Sequence, residues 1–136
     1  MSDASPKGTM LRSIGVVAGW IIAGIVITLL TDVVLHIVHV FPPWGQPAPD
    51  GPLALATAYR VVYSTAASYL IARFAPNRPM LHALIAGFIG FAVSIAGAVA
   101  TWNNTAVFGP HWYPIALVVT ALPCAWLGAK IYLARQ

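Results

Sequence analysis

The run SIGVVAGWIIAGIVITLLT, residues 13–31, contains no charged side chain. At ~1.5 Å of rise per residue, a helix of this length covers the ~30 Å hydrocarbon core of a bilayer. The stretch continues to Val40, interrupted only by Asp32, His36 and His39, so the first predicted helix spans residues 13–40. Lys7 and Arg12 precede it in the manner of a signal peptide. The apolar run is longer than a signal's core, however, and no small-residue cleavage site ends it. It is read as a retained first transmembrane helix.

Three more apolar runs follow, at residues 53–74, 80–102 and 113–133, each near the length that spans a membrane. The segment from Phe41 to Pro52 is too rich in proline and glycine to be helical, and Pro76-Asn77-Arg78-Pro79 makes a tight turn. A third break lies between Thr105 and Pro110. Composition agrees with four spans. Of 136 residues, 60% are hydrophobic and 7% charged, and the mean hydropathy is +0.82. Too little polar surface exists to coat a soluble globule, where about a quarter of residues are charged. The expected fold is all-α: a single membrane domain over residues 1–136, built as a four-helix transmembrane bundle with antiparallel neighbours.

Orientation follows from the cations, which are retained on the cytoplasmic side during insertion. Lys7, Arg12, Arg73, Arg78, Lys130 and Arg135 all fall on one face of a four-span topology, and the other two loops have neither Lys nor Arg. Both termini are therefore expected inside. Phe41, Trp44, Trp102, Trp112 and Tyr113 would mark the outer interface. The net charge of +4 is dispersed in ones and twos, not gathered into a basic face, so nucleic acid is not an expected partner. The expected partners are the lipid bilayer and either further copies of the chain or a larger membrane protein. Cys124 is the single cysteine, which excludes an intrachain disulfide.

Helices in lipid associate through small residues and interhelical hydrogen bonds. Gly15 and Gly19 on the first segment, and Ala86, Gly90, Ser94 and Ala98 on the third, are the expected contact stripes. Pro123 removes one backbone hydrogen bond from the last helix.

The few polar residues are the candidates for function. Asp32, His36 and His39 are spaced to share one helical face, as are Thr57, Arg60, Ser64 and Ser68. Counted inward from the Pro-rich loop, Asp32 and Arg60 lie at the same depth, ~12 Å along each helix. Counted from the inner anchors the match is poorer, ~30 Å from Arg12 to Asp32 against ~20 Å from Arg73 to Arg60, so tilt or the arginine's reach must absorb the difference. Each charge is costly alone in hydrocarbon, and a pair across the two helices is the expected solution. The candidate cluster is Asp32, Arg60, His36, Tyr59, Tyr63 and Ser64, and the hydroxyls of Tyr59, Tyr63 and Tyr69 are placed to extend it toward Ser94 or Thr120. His36, His39 and His111 are chemically suitable metal ligands, but interfacial histidines need none, and no metal or other cofactor is expected. No serine elbow, phosphate loop, paired carboxylates or HExxH spacing is present, so nothing supports an enzyme.

Phe41-Pro42-Pro43-Trp44-Gly45, Ala58-Tyr59-Arg60, Ala75-Pro76-Asn77-Arg78-Pro79 and His111-Trp112-Tyr113-Pro114 resemble an uncharacterised family of small four-span bacterial inner-membrane proteins. That resemblance implies a bacterial inner membrane and transfers no catalytic residue. Small multidrug transporters also have four spans and an acidic residue in the first. Here the acid lies late in its helix and faces an arginine, and the cation bias opposes dual topology. The functional expectation is a non-enzymatic accessory or scaffold protein; the alternative is an oligomeric transporter or binding protein with a polar site in the outer half.

Overall fold

Proline and the residues before it set the helix boundaries. The computed structural model describes residues 6–136. It contains four long helices, α1 (Pro6–Ile37), α2 (Asp50–Phe74), α3 (Pro79–Thr101) and α5 (Trp112–Ala134), and one short turn, α4 (Thr105–Phe108). α2 ends where Ala75, preceding Pro76, takes an extended conformation. α3 opens with Pro79 in its first turn, where the missing N–H removes no bond. α5 runs unbroken through Pro123.

α1 differs from its expected limits at both ends. It is already helical at Pro6, the first described residue and well before the apolar run, because residues 7–12 hold no breaker stronger than Gly8. Its ~48 Å exceeds the hydrocarbon thickness, so it projects beyond the bilayer or tilts. It stops at Ile37, not Val40. His39 turns left-handed at φ 64°, its N–H bonds to the His36 carbonyl at 3.2 Å, and the Val40 N–H reaches back to Leu35 at 2.9 Å. This is a Schellman ending with histidine where glycine is usual. His39 therefore lies past the helix, and the expected shared face of Asp32, His36 and His39 loses its third member. Replacing His39 with glycine is expected to stabilise the protein by about 0.5–1 kcal/mol in thermal unfolding, because glycine has no Cβ to strain there. A loss of stability would mean that the imidazole makes contacts that outweigh the strain.

Packing is inverted relative to a soluble protein. The buried apolar residues are mostly small, among them Ala56, Ala72, Ala83, Ala125 and Ala129, while Ile22, Leu30, Val62, Phe88, Val93 and Val99 are exposed. Lys7–Ile37, Pro79–Thr101 and Trp112–Ala134 are long and apolar enough to cross a membrane, and together with this inversion they mark a membrane protein. α2 has 25 residues and is the least apolar of the four. It also packs against all three of the others, so its polar side chains have neighbours to turn toward. Threonines in the spans return their hydroxyls to the preceding turn, as Thr28 does to Gly24 at 2.7 Å and Thr120 to Ala116 at 2.8 Å.

The tightest packing joins α5 to α2 and α3. Gly128 sits against α2 so closely that a Cβ there would lie 2.7 Å from Ser68 Cβ and 2.8 Å from the Tyr69 nitrogen. The Ser68 hydroxyl donates to the Ala125 carbonyl at 2.5 Å beside it. Gly87 meets α5 likewise, 2.5 Å from a built Cβ to Ala125 Cβ. At the far end the Trp112 indole donates to Asp50 at 2.8 Å, so pairings rise together along α2 and α5 and the two run in the same direction. The expected stripes do not make these contacts. Gly15, Gly19 and Gly90 have nothing within 4 Å of a built Cβ. The small face of α5, at Ala121, Ala125 and Ala129, selects Gly87 on α3 instead.

α1 lies against α2 and α3 more loosely. Trp20 stacks on Phe74 at 5.8 Å, Gly24 faces Ala67, and Thr31 bonds Tyr63, so contacts move back along α2 as they advance along α1. Ser13 fixes the other end by bonding His82 Nε2 at 2.8 Å. His82 Nδ1 donates to the Arg78 carbonyl at 3.0 Å, which leaves Nε2 to accept from Ser13.

Candidate functional site

Asp32, near the end of α1, receives hydrogen bonds at both carboxylate oxygens. Arg60 Nη2 donates to Oδ2 at 2.7 Å, and the Tyr59 hydroxyl donates to Oδ1. Consecutive residues of α2 point about 100° apart on a helix, and here the two straddle the α1 face, so one carboxylate takes both. The Asp32 side chain is 14% exposed and that of Arg60 30%. Tyr113, at the start of α5, lies close to the pair of Arg60 and Asp32. Three helices thus meet at this pair. The pair forms despite the expected register mismatch, which the long arginine stem is able to absorb. Arg60 Nε is buried without a partner, a cost the two charge-assisted bonds on Asp32 offset.

The remaining candidates divide. Tyr63 packs its ring 5.7 Å from Tyr59, but its hydroxyl bonds Thr31 at 2.9 Å. Because Thr31 donates its own proton to Ile27, Tyr63 is the donor. Ser64 lines a cavity that Arg60 also borders. Tyr69 turns toward the other end, edge-on to Tyr132 at 5.8 Å, and extends no network from Asp32.

His36 leaves the cluster for the loop. Its Nδ1 bonds the Asp32 backbone carbonyl at 2.7 Å, so Nδ1 holds the proton. Its ring stacks on Trp44 at 3.5 Å, with Phe41 against its edge at 5.1 Å. His111 repeats the arrangement in the other loop, stacked on Trp102 at 3.7 Å with Nε2 on the Trp102 carbonyl at 2.7 Å. Each histidine pins an indole to a helix end. Among the described residues no three His, Cys, Asp or Glu side chains converge on one point; His36, His39 and His111 are placed separately.

A cavity of about 310 Å³ lies where α1 stands off from the α2–α3–α5 body. Thr28, Arg60, Tyr63, Ser64, Ser68, Ser94 and Thr120 supply its polar lining, and the rest is largely apolar. Sequence reasoning missed Tyr113 as a member of the cluster, having placed it in the interfacial belt. The signal for it was the snorkelling habit of a membrane arginine, whose head seeks polar groups nearer the surface than its own Cα. No protein-family model, curated protein or solved structure matches this chain.

Proposed function

We propose that this chain is a four-span protein of a bacterial inner membrane, with antiparallel sequence neighbours and both termini in the cytoplasm. In this reading it has no enzymatic role and acts as an accessory or scaffold subunit for a larger membrane partner. Three apolar helices and the central position of α2 support four spans, and the gathering of cations at one end supports the orientation. The observation that carries the functional reading is the saturation of Asp32. Both carboxylate oxygens are held by partners within the chain, so the one ion pair among the described residues latches α1 to α2 and Asp32 offers no free base.

The test is complementation. In a deletion strain of the host, the paired replacement Asp32→Leu with Arg60→Met restores the wild-type phenotype if the pair is a latch. Failure to complement at normal membrane levels would sink this reading.

The cavity favours a second reading, a binding protein for a small amphipathic molecule. It is lined from all four long helices and combines an apolar wall with hydroxyls, as ligand sites do. Gly90 lines it with open space before its Cα, so Gly90→Leu fills the cavity without a backbone clash. Under the scaffold reading this variant complements fully; loss of complementation in a folded protein would select the binding reading.

A further inference from the structure

A groove of about 580 Å³ runs along the outer side of α1 at the cation-bearing end. Arg12 stands at its mouth, Gly15, Gly19 and Ala23 form its floor, and Trp20 stacked on Phe74 forms its wall. The floor is open because no atom lies within 4 Å of a Cβ built at Gly15 or Gly19. From Arg12 to Ala23 is ~16 Å of helix, the depth of one leaflet. Arg73 is not in the lining but stands beside the wall, its guanidinium 5.8 Å from the centre of the Phe74 ring.

We propose that this groove seats an anionic phospholipid, one acyl chain lying along Gly15, Gly19 and Ala23 and the phosphate held by Arg12 and Arg73. Charge complementarity selects this occupant. Lys7, Arg12, Arg73, Arg78, Lys130 and Arg135 share that end, while Asp32 and Asp50 lie toward the other and Asp3 falls outside the described residues. Neither Arg12 nor Arg73 has an ion pair among the described residues. Arginine matches phosphate in a forked geometry, and basic pockets beside membrane helices recruit anionic headgroups. A second copy of the chain fits less well. Two copies inserted in the same orientation and related by a two-fold axis would set Arg12 against Arg12 across the same groove.

The seat rests on the membrane reading of α1, but not on which end faces the cytoplasm. The experiment uses mixed micelles, where both ends meet the same lipid, so its failure is distinguishable from a failure of the orientation. Full-length protein is equilibrated with equal phosphatidylglycerol and phosphatidylcholine, and retained lipid is read by native mass spectrometry. Wild type is expected to prefer phosphatidylglycerol roughly five- to tenfold. Arg12→Gln lowers the preference severalfold, and Arg12→Gln with Arg73→Gln brings it near unity. Gly19→Leu, or Gly15→Leu in its place, removes retained lipid of both kinds, and both sites have room for the side chain. Arg78→Gln, at the same end but outside the groove, keeps the preference. The proposal is overturned if Gly19→Leu retains phosphatidylglycerol as wild type does. It is equally overturned if Arg78→Gln matches Arg12→Gln, which would make the preference a general effect of charge, or if the groove variants break a dimer while leaving lipid unchanged.

Discussion

Gly128→Ala is expected to lower the apparent Tm in mild detergent by on the order of 10 °C, the largest effect of any single added methyl in this chain. A Cβ at this position meets backbone, not a flexible side chain: the Thr65 carbonyl oxygen and, at 2.8 Å, the Tyr69 nitrogen. Neither can move without displacing a turn of α2. The added carbon must therefore push α5 away, which lengthens the bond from Ser68 to the Ala125 carbonyl and opens the small-residue cluster of Ala72, Ala83 and Ala129. Overpacking of this kind costs about 1–3 kcal/mol, at the upper end when backbone is the obstacle. Gly19→Ala serves as the control, since nothing lies within 4 Å of its Cβ; its Tm should hold or rise slightly through better helix propensity. Equal Tm values for the two variants would mean that α2 and α5 do not pack through Gly128.

The second large effect separates a charge pair from its members. Arg60→Met alone leaves the Asp32 carboxylate with only the Tyr59 hydroxyl, and Asp32→Leu alone leaves a guanidinium whose Nε is already unpartnered. Each single change should cost about 3–5 kcal/mol, because an uncompensated charge stays in a low-dielectric site. Made together, the two changes should return stability to within about 1 kcal/mol of wild type, since apolar side chains of similar volume avoid the desolvation cost altogether. The cycle then gives a coupling of about 5 kcal/mol or more. Additive losses in the double variant would show that the two side chains do not depend on one another.

What could be seen in the sequence was whatever depends on depth along a helix. Apolar run length located the long helices, and counting from the Pro-rich loop paired Asp32 with Arg60, because a charge in lipid has few places to go. Rotation about each helix axis was harder to see. Four small residues on α3 stand in a stripe, yet Gly87 beside it makes the contact, because the partner face is chosen by the spacing of Ala121, Ala125 and Ala129 on another helix. That α5 spacing was itself visible, and with Cys124 and Gly128 it names the close approach to α2. His39 was misplaced for a different reason: a helix end closed by a left-handed histidine carries no glycine to announce it.

α2 decides the topology: it is long enough to span but the least apolar of the four, and it packs against all three of the others. Gln46 and Asn77 flank it and are exposed, so single cysteines there, in a Cys124→Ala background, can be treated in whole cells with a membrane-impermeant maleimide. Gln46→Cys is expected to label in intact cells and Asn77→Cys only after permeabilisation. Labelling of both in intact cells, or of neither until the cells are opened, would place the two ends of α2 on the same side and contradict a four-span bundle.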